Sequence, residues 1–304
     1  MNPLDFVGSP DWRSAVLAVV FTAPWLILLA GRWLRRWQTW AVLVAGIVLF
    51  PLTIAWVQVP IQQAINTLYL NTLPPATIGQ YALLFSIPLV LVSGLVQEIA
   101  KFGIAVAGLS LTGEKNVPRA GLALGAAAGA GYGGIEAFWV FNLIFGAGFT
   151  WATVQLAGPL ALLGFIERFF TVMFHTSLAA LSAYGYTTGR PWRFLLLAIG
   201  VHSVSNYFAV LVQAGVIGVV AVEIIIALIA LAVLAAALWL RARSRPVPPT
   251  DIESDQSPTD VASEPTPPDI ESGQAPADAE SERASTDIES DNSLTPPTIE
   301  ESDQ

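Results

Sequence analysis

Seven stretches of the chain are apolar over lengths near the roughly 20 residues a helix needs to cross a bilayer core. They run approximately over Ser14–Gly31, Thr39–Val59, Gln80–Leu111, Ala120–Phe145, Pro159–Tyr186, Trp192–Val212 and Val216–Leu240. The third and fifth are longer than one straight crossing. Ser93–Gly94 and Pro159 are the places where either would bend or begin late. The pattern predicts an all-α, polytopic membrane helix bundle of about seven transmembrane helices.

Basic residues follow every second stretch. Arg32, Arg35 and Arg36 come after the first, Lys115 and Arg119 after the third, Arg190 and Arg193 after the fifth, and Arg241, Arg243 and Arg245 after the seventh. The opposite loops, near 60–78, 146–158 and 213–215, have no Lys or Arg. Positive charge stays on the cytoplasmic side. The N-terminus is therefore expected outside and the C-terminus in the cytoplasm, with the plasma membrane as the expected location. The basic residues of the first stretch lie after it, the reverse of a secretory signal.

Composition agrees and divides the chain in two. The sequence is 54% hydrophobic and 12% charged, about half the charged fraction of a soluble domain. Residues 1–245 carry 13 Lys/Arg against 7 Asp/Glu, and residues 246–304 carry one Arg against 16 Asp/Glu. The acidity thus belongs to a tail rich in Ser, Pro, Asp and Glu, whose composition predicts disorder. "DIES" recurs there at Asp251, Asp269 and Asp287. The tail reads as a low-complexity extension, or as an acidic docking or phosphorylation segment. The absence of cysteine excludes disulfides and thiol nucleophiles.

Candidate chemistry lies inside the apolar stretches. Glu98 and Lys101 fall in the third, Glu136 in the fourth, Arg168 and His175 in the fifth, His202 and Asn206 in the sixth. Both histidines of the chain are among them. Counting from the basic end of each stretch at 1.5 Å per residue puts Glu98, Glu136, His175 and His202 at depths of roughly 14 to 24 Å. Four helices so bring costly groups to one layer, which marks a functional site. Glu98 and Lys101 are i, i+3 neighbours, and His202 and Asn206 i, i+4, so each pair shares a face. Gly121, Gly125, Gly129 and Gly133 form a stripe along which another helix can approach closely. The bland alternatives are a neutralising Glu98–Lys101 pair, a snorkelling Arg168 and Asn206 as interhelical glue.

The segments "QEIAKF", "GYGGIEAF", "ERFFTVMFHTSLAA" and "HSVSN" together resemble the YhfC family of proposed intramembrane proteases. That family is related to the PrsW-type proteases and to the type II CAAX prenyl endopeptidases of the ABI, or CPBP, superfamily. The resemblance spans about 92–208. It implies Glu98, Glu136, His175, His202 and Asn206 as catalytic residues, with Lys101 and Arg168 supporting. The chain departs from relatives at Gln97, where a second acid is usual, and at Tyr132, where a His is usual.

Two mechanisms fit these residues. In one, Glu98 acts as general base on water, with Asn206 and an imidazole donating to the oxyanion. In the other, His175, His202 and a glutamate such as Glu136 hold Zn²⁺ in a His₂Glu site. There is no H-E-x-x-H helix to specify a metal, and the metal-independent version, with no cofactor, is preferred. Expected partners are membrane lipid and a membrane-bound or lipidated protein or peptide substrate, with no nucleic acid. The competing readings are a non-catalytic scaffold, which would tolerate Glu98→Gln, and a proton-coupled transporter, against which no inverted repeat is visible.

A chain cut after Arg245 should insert and purify as the full chain does, because the tail has no apolar surface to contribute to a core. Size-exclusion profiles and thermal midpoints in detergent check this; loss of membrane-inserted protein would count against it.

Overall fold

The computed structural model describes residues 2–6, 8 and 10–244; the acidic segment from Pro246 lies outside them. The described residues fall in one compact unit, Met1–Pro248, and contain no strand. Its helices are α1 (Trp12–Ala30), α2 (Trp37–Thr53), α3 (Val59–Thr72), α4 (Pro75–Gln80), α5 (Ala82–Thr112), α6 (Pro118–Gly146), α7 (Trp151–Ala157), α8 (Leu163–Thr187), α9 (Pro191–Gln213) and α10 (Val219–Arg243). Pro118 and Pro191 stand in the first turn of α6 and α9, where a missing N–H costs nothing and the fixed φ suits a helix. α5 stops at Gly113, which takes the left-handed conformation at φ +70°.

Several sequence expectations are refined. The second apolar stretch does not end at Val59. A π-helical turn at Ile54–Gln58 joins α2 to α3, giving one helical stretch over Trp37–Thr72. The loop expected over 60–78 is therefore largely helical. α5 runs unbroken through Ser93–Gly94, whereas α8 does begin late, after a 3₁₀ turn at Pro159–Leu162.

Five stretches are long and apolar enough to cross a membrane: Trp12–Arg35, Trp37–Thr72, Ala82–Thr112, Pro191–Gln213 and Val219–Arg243. Pro118–Gly146 with Trp151–Ala157, bent by 78°, makes a sixth if the pair is one broken span. The measure thus gives five or six, short of seven. The two expected spans that do not qualify singly, α6 and α8, are closely packed inside the bundle. In α6 every residue from Ala120 to Gly134 is buried, and in α8 every residue from Val172 to Ala183. Residues that face protein need not be as apolar as residues that face lipid.

The pairing of α6 with α8 is the most extensive in the fold, and the glycine stripe explains how. A Cβ on Gly121 would come 2.7 Å from the carbonyl oxygen of Ala183, one on Gly125 would strike that of Ala179, and one on Gly129 that of His175. A Cβ on Gly133 would lie 2.9 Å from Cβ of His175. From Gly121 to Gly129 each step of four residues on α6 meets a step of four on α8, running the opposite way. The seam is backbone against backbone, and it ends on the imidazole. Gly131 and Gly46 allow the same closeness between α6 and α2, and Gly94 between α5 and α9.

Gly129→Ala should destabilise the bundle by about 1–3 kcal/mol, the usual cost of overpacking a tight contact. Gly103→Ala, where a Cβ meets nothing within 4 Å, should be neutral or stabilise by about 0.5–1 kcal/mol. Thermal midpoints of the two variants in one detergent decide; equal midpoints would refute the seam.

Candidate active site

α5, α6, α8 and α9 bring six of the seven singled-out side chains into one run. Lys101 Nζ donates to Glu98 Oε1 at 2.6 Å, one turn apart on α5. It also lies 2.8 Å from His175 Nδ1 on α8. His202 Nδ1 on α9 is 2.6 Å from the same Glu98 Oε1. On the other side of His175, Nε2 is 3.0 Å from Glu136 Oε2 on α6, at an angle too bent for a regular hydrogen bond. Arg168 Nη1 then donates to Glu136 Oε1 at 2.8 Å, and Arg168 also pairs with Glu167. The order is Arg168, Glu136, His175, Lys101, Glu98, His202, with cations and anions interleaved.

Burial is graded along this run. Glu98 and Lys101 have no exposure at all, and His175 and His202 almost none. The side chains of Glu136 and Arg168 keep 19% and 12%, so the run opens at that end. Arg168 does not snorkel; its guanidinium points back to Glu136. A buried charge without a partner costs several kcal/mol, and each charge here has at least one.

The hydrogen bonds fix the tautomers. A lysine ammonium has only donors, so His175 Nδ1 accepts from Lys101 and its proton sits on Nε2, facing Glu136. A carboxylate has only acceptors, so His202 Nδ1 donates to Glu98. Glu98 Oε1 takes both contacts, and Glu98 Oε2 is buried with no partner.

Asn206 stands apart. Its Nδ2 donates to Ser93 Oγ at 2.9 Å, tying α9 to α5, and Ser93 in turn accepts from Gln97 at 3.1 Å. Gln97 also reaches Gln58 Oε1 in the π turn at 3.1 Å. Two wall residues lie outside the expected catalytic and supporting set, Tyr132, noted from sequence only as a departure from relatives, and Phe174. Tyr132 packs its ring at 6.2 Å from that of His175, with Lys101 Nζ 5.5 Å from its centroid, and its hydroxyl is 2.8 Å from Thr53 Oγ1. Its i, i+4 spacing from Glu136 was the available signal. Phe174 sets its ring edge-on to His202 at 5.6 Å and gave no signal, being one aromatic among many.

Glu98, His175 and His202 can each offer a ligand atom within 4.8 Å of the others. The group differs from the expected set of His175, His202 and Glu136: Glu98 takes the glutamate's place, because Glu136 lies behind His175. Two imidazoles and a carboxylate are a donor set of catalytic zinc sites. The partnerless Glu98 Oε2 is an atom a cation would satisfy. Glu136 stands where a carboxylate orients a ligating imidazole. The residues therefore fit a divalent cation, with Lys101 Nζ among them.

No curated protein and no solved structure matches the chain. The model of the family described as YhfC intramembrane metalloprotease matches residues 149–230, and over that stretch, which carries Arg168, His175, His202 and Asn206, this integral membrane protein is similar to the YhfC family.

Proposed function

We propose that the protein is an intramembrane endopeptidase in which Glu98 activates water against a peptide bond at membrane depth. The observation that carries this reading is the partnerless Oε2 of Glu98 at the buried end of a six-residue polar run. Lys101 and His202 both bond Oε1 and leave Oε2 free to accept. Water bound there gives its proton to Oε2 as its oxygen adds to the scissile carbonyl. The proton then passes to the departing amine as the C–N bond breaks, which restores the carboxylate. Lys101 is the positive charge at hand for the oxyanion. Glu136 and Arg168 act through His175 and are positioning residues. Asn206 fastens α9 to α5 beside Glu98.

If a divalent cation is bound, Glu98, His175 and His202 hold it, and it supplies a polarised carbonyl or an activated water. The partly exposed Glu136–Arg168 end is the route by which water enters. In this reading α6 and α8 cross the membrane as inner helices. With the five apolar stretches they make seven crossings, with the basic loops on the cytoplasmic face of the plasma membrane. The substrate is a membrane-bound or lipidated protein or peptide.

Glu98→Gln keeps size and removes proton acceptance. It should lower cleavage of a trapped membrane substrate by about a hundredfold to ten-thousandfold, with the protein still purifying as a folded bundle. Wild-type cleavage by this variant would make Glu98–Lys101 a structural pair and move the search for the catalytic acid to Glu136. Glu136→Gln should cost less, about ten- to a hundredfold, as for the loss of an orienting carboxylate.

A further inference from the structure

Lys101 lies against two of the three ligand side chains, Glu98 and His175. Its Nζ is 2.6 Å from Glu98 Oε1 and 2.8 Å from His175 Nδ1. Those are one of the oxygens and the one free ring nitrogen that these two residues can offer. His175 has no second lone pair to give, because its Nε2 carries the proton facing Glu136. A cation bound to His175 must therefore take the lone pair that Lys101 now uses. Lys101 is entirely buried, and the ring of Tyr132 lies 5.5 Å from its nitrogen. The nitrogen is enclosed rather than reaching in from solvent, and two positive charges a few ångströms apart in a buried site repel strongly.

We propose that Lys101 is a built-in competitor for the divalent cation: ammonium and metal exclude each other, and metal enters only as the Lys101 side chain withdraws. The proposal rests on the ligand set of the preceding sections. The buried carboxylate of Glu98 thus has a counter-ion in either state, and the bundle is complete without metal. Uptake by the wild-type chain is weak for a His₂Glu set, and the obstacle is one side chain rather than a missing ligand.

Zinc binding by the full-length protein in detergent tests this without any substrate. Bound zinc per chain is measured across a chelator-buffered series of free Zn²⁺, with the thermal midpoint followed in parallel. Lys101→Met, nearly the same length and uncharged, should bind one equivalent at roughly a hundredfold lower free zinc than wild type. Zinc should also raise its midpoint more than that of wild type. Lys101→Arg, which keeps the charge, should stay as weak as wild type. Adding His202→Ala to Lys101→Met should remove the gain. If Lys101→Met fails to purify, Lys101→Gln carries the same comparison, since its amide can still bond Glu98. Equal affinity in wild type and the uncharged variants would overturn the competition and leave the ligand set standing. No zinc uptake by any variant would overturn the competition and the metal site together. Neither result touches the hydrolytic reading, which the Glu98→Gln cleavage assay judges separately.

Discussion

Hydrocarbon offers a polar side chain no water to bond with, and the site is organised by that constraint. Six groups from four helices satisfy one another in sequence: Arg168 with Glu136, Glu136 against His175, His175 with Lys101, Lys101 with Glu98, Glu98 with His202. Removing any member takes a partner from at least one neighbour, and in low dielectric an unpaired charge is the costly state. The relative placement of α5, α6, α8 and α9 is therefore set by chemistry as much as by shape. One acceptor of the run, Glu98 Oε2, is left buried without a partner.

Much of this was readable from residue types and spacing. Apolar length gave the helices, and helix rise put Glu98, Glu136, His175 and His202 in one layer, where the structure has them in one run. The four-residue glycine period foretold a close helix partner. What spacing could not give was which pairs touch. Depth alone does not separate Glu98 from Glu136 as the acid nearest both imidazoles; the rotation of α6 about its axis does, and that depends on three-dimensional packing. Asn206 shares a face with His202 yet bonds Ser93, because one helical turn carries it past Glu98. The helical course of 59–72 was missed for another reason: its residues are too polar to read as a span, and nothing in them is buried.

The helices that hold the centre are also those that do not qualify singly as membrane-crossing stretches. α6 and α8 are sheathed by α1, α2, α5, α9 and α10, so lipid exerts little demand on their composition. The family match extends from α7 into α10 and so covers His175 and His202. Their partners Glu98, Lys101 and Glu136 lie on α5 and α6, outside it. The geometry joins the two halves.

The seam between α6 and α8 also constrains how such a sequence can drift. At an exposed apolar position of α5 such as Leu95 or Ile99, one large apolar residue replaces another at little cost. At Gly121, Gly125 and Gly129 every single-codon change adds at least a Cβ, and that Cβ meets a carbonyl oxygen of the facing helix. These positions have no neutral neighbours in sequence space. Variation among chains with this bundle should then collect on the outer faces, where it reshapes the contact with lipid, and leave the inner seam as a fixed spine.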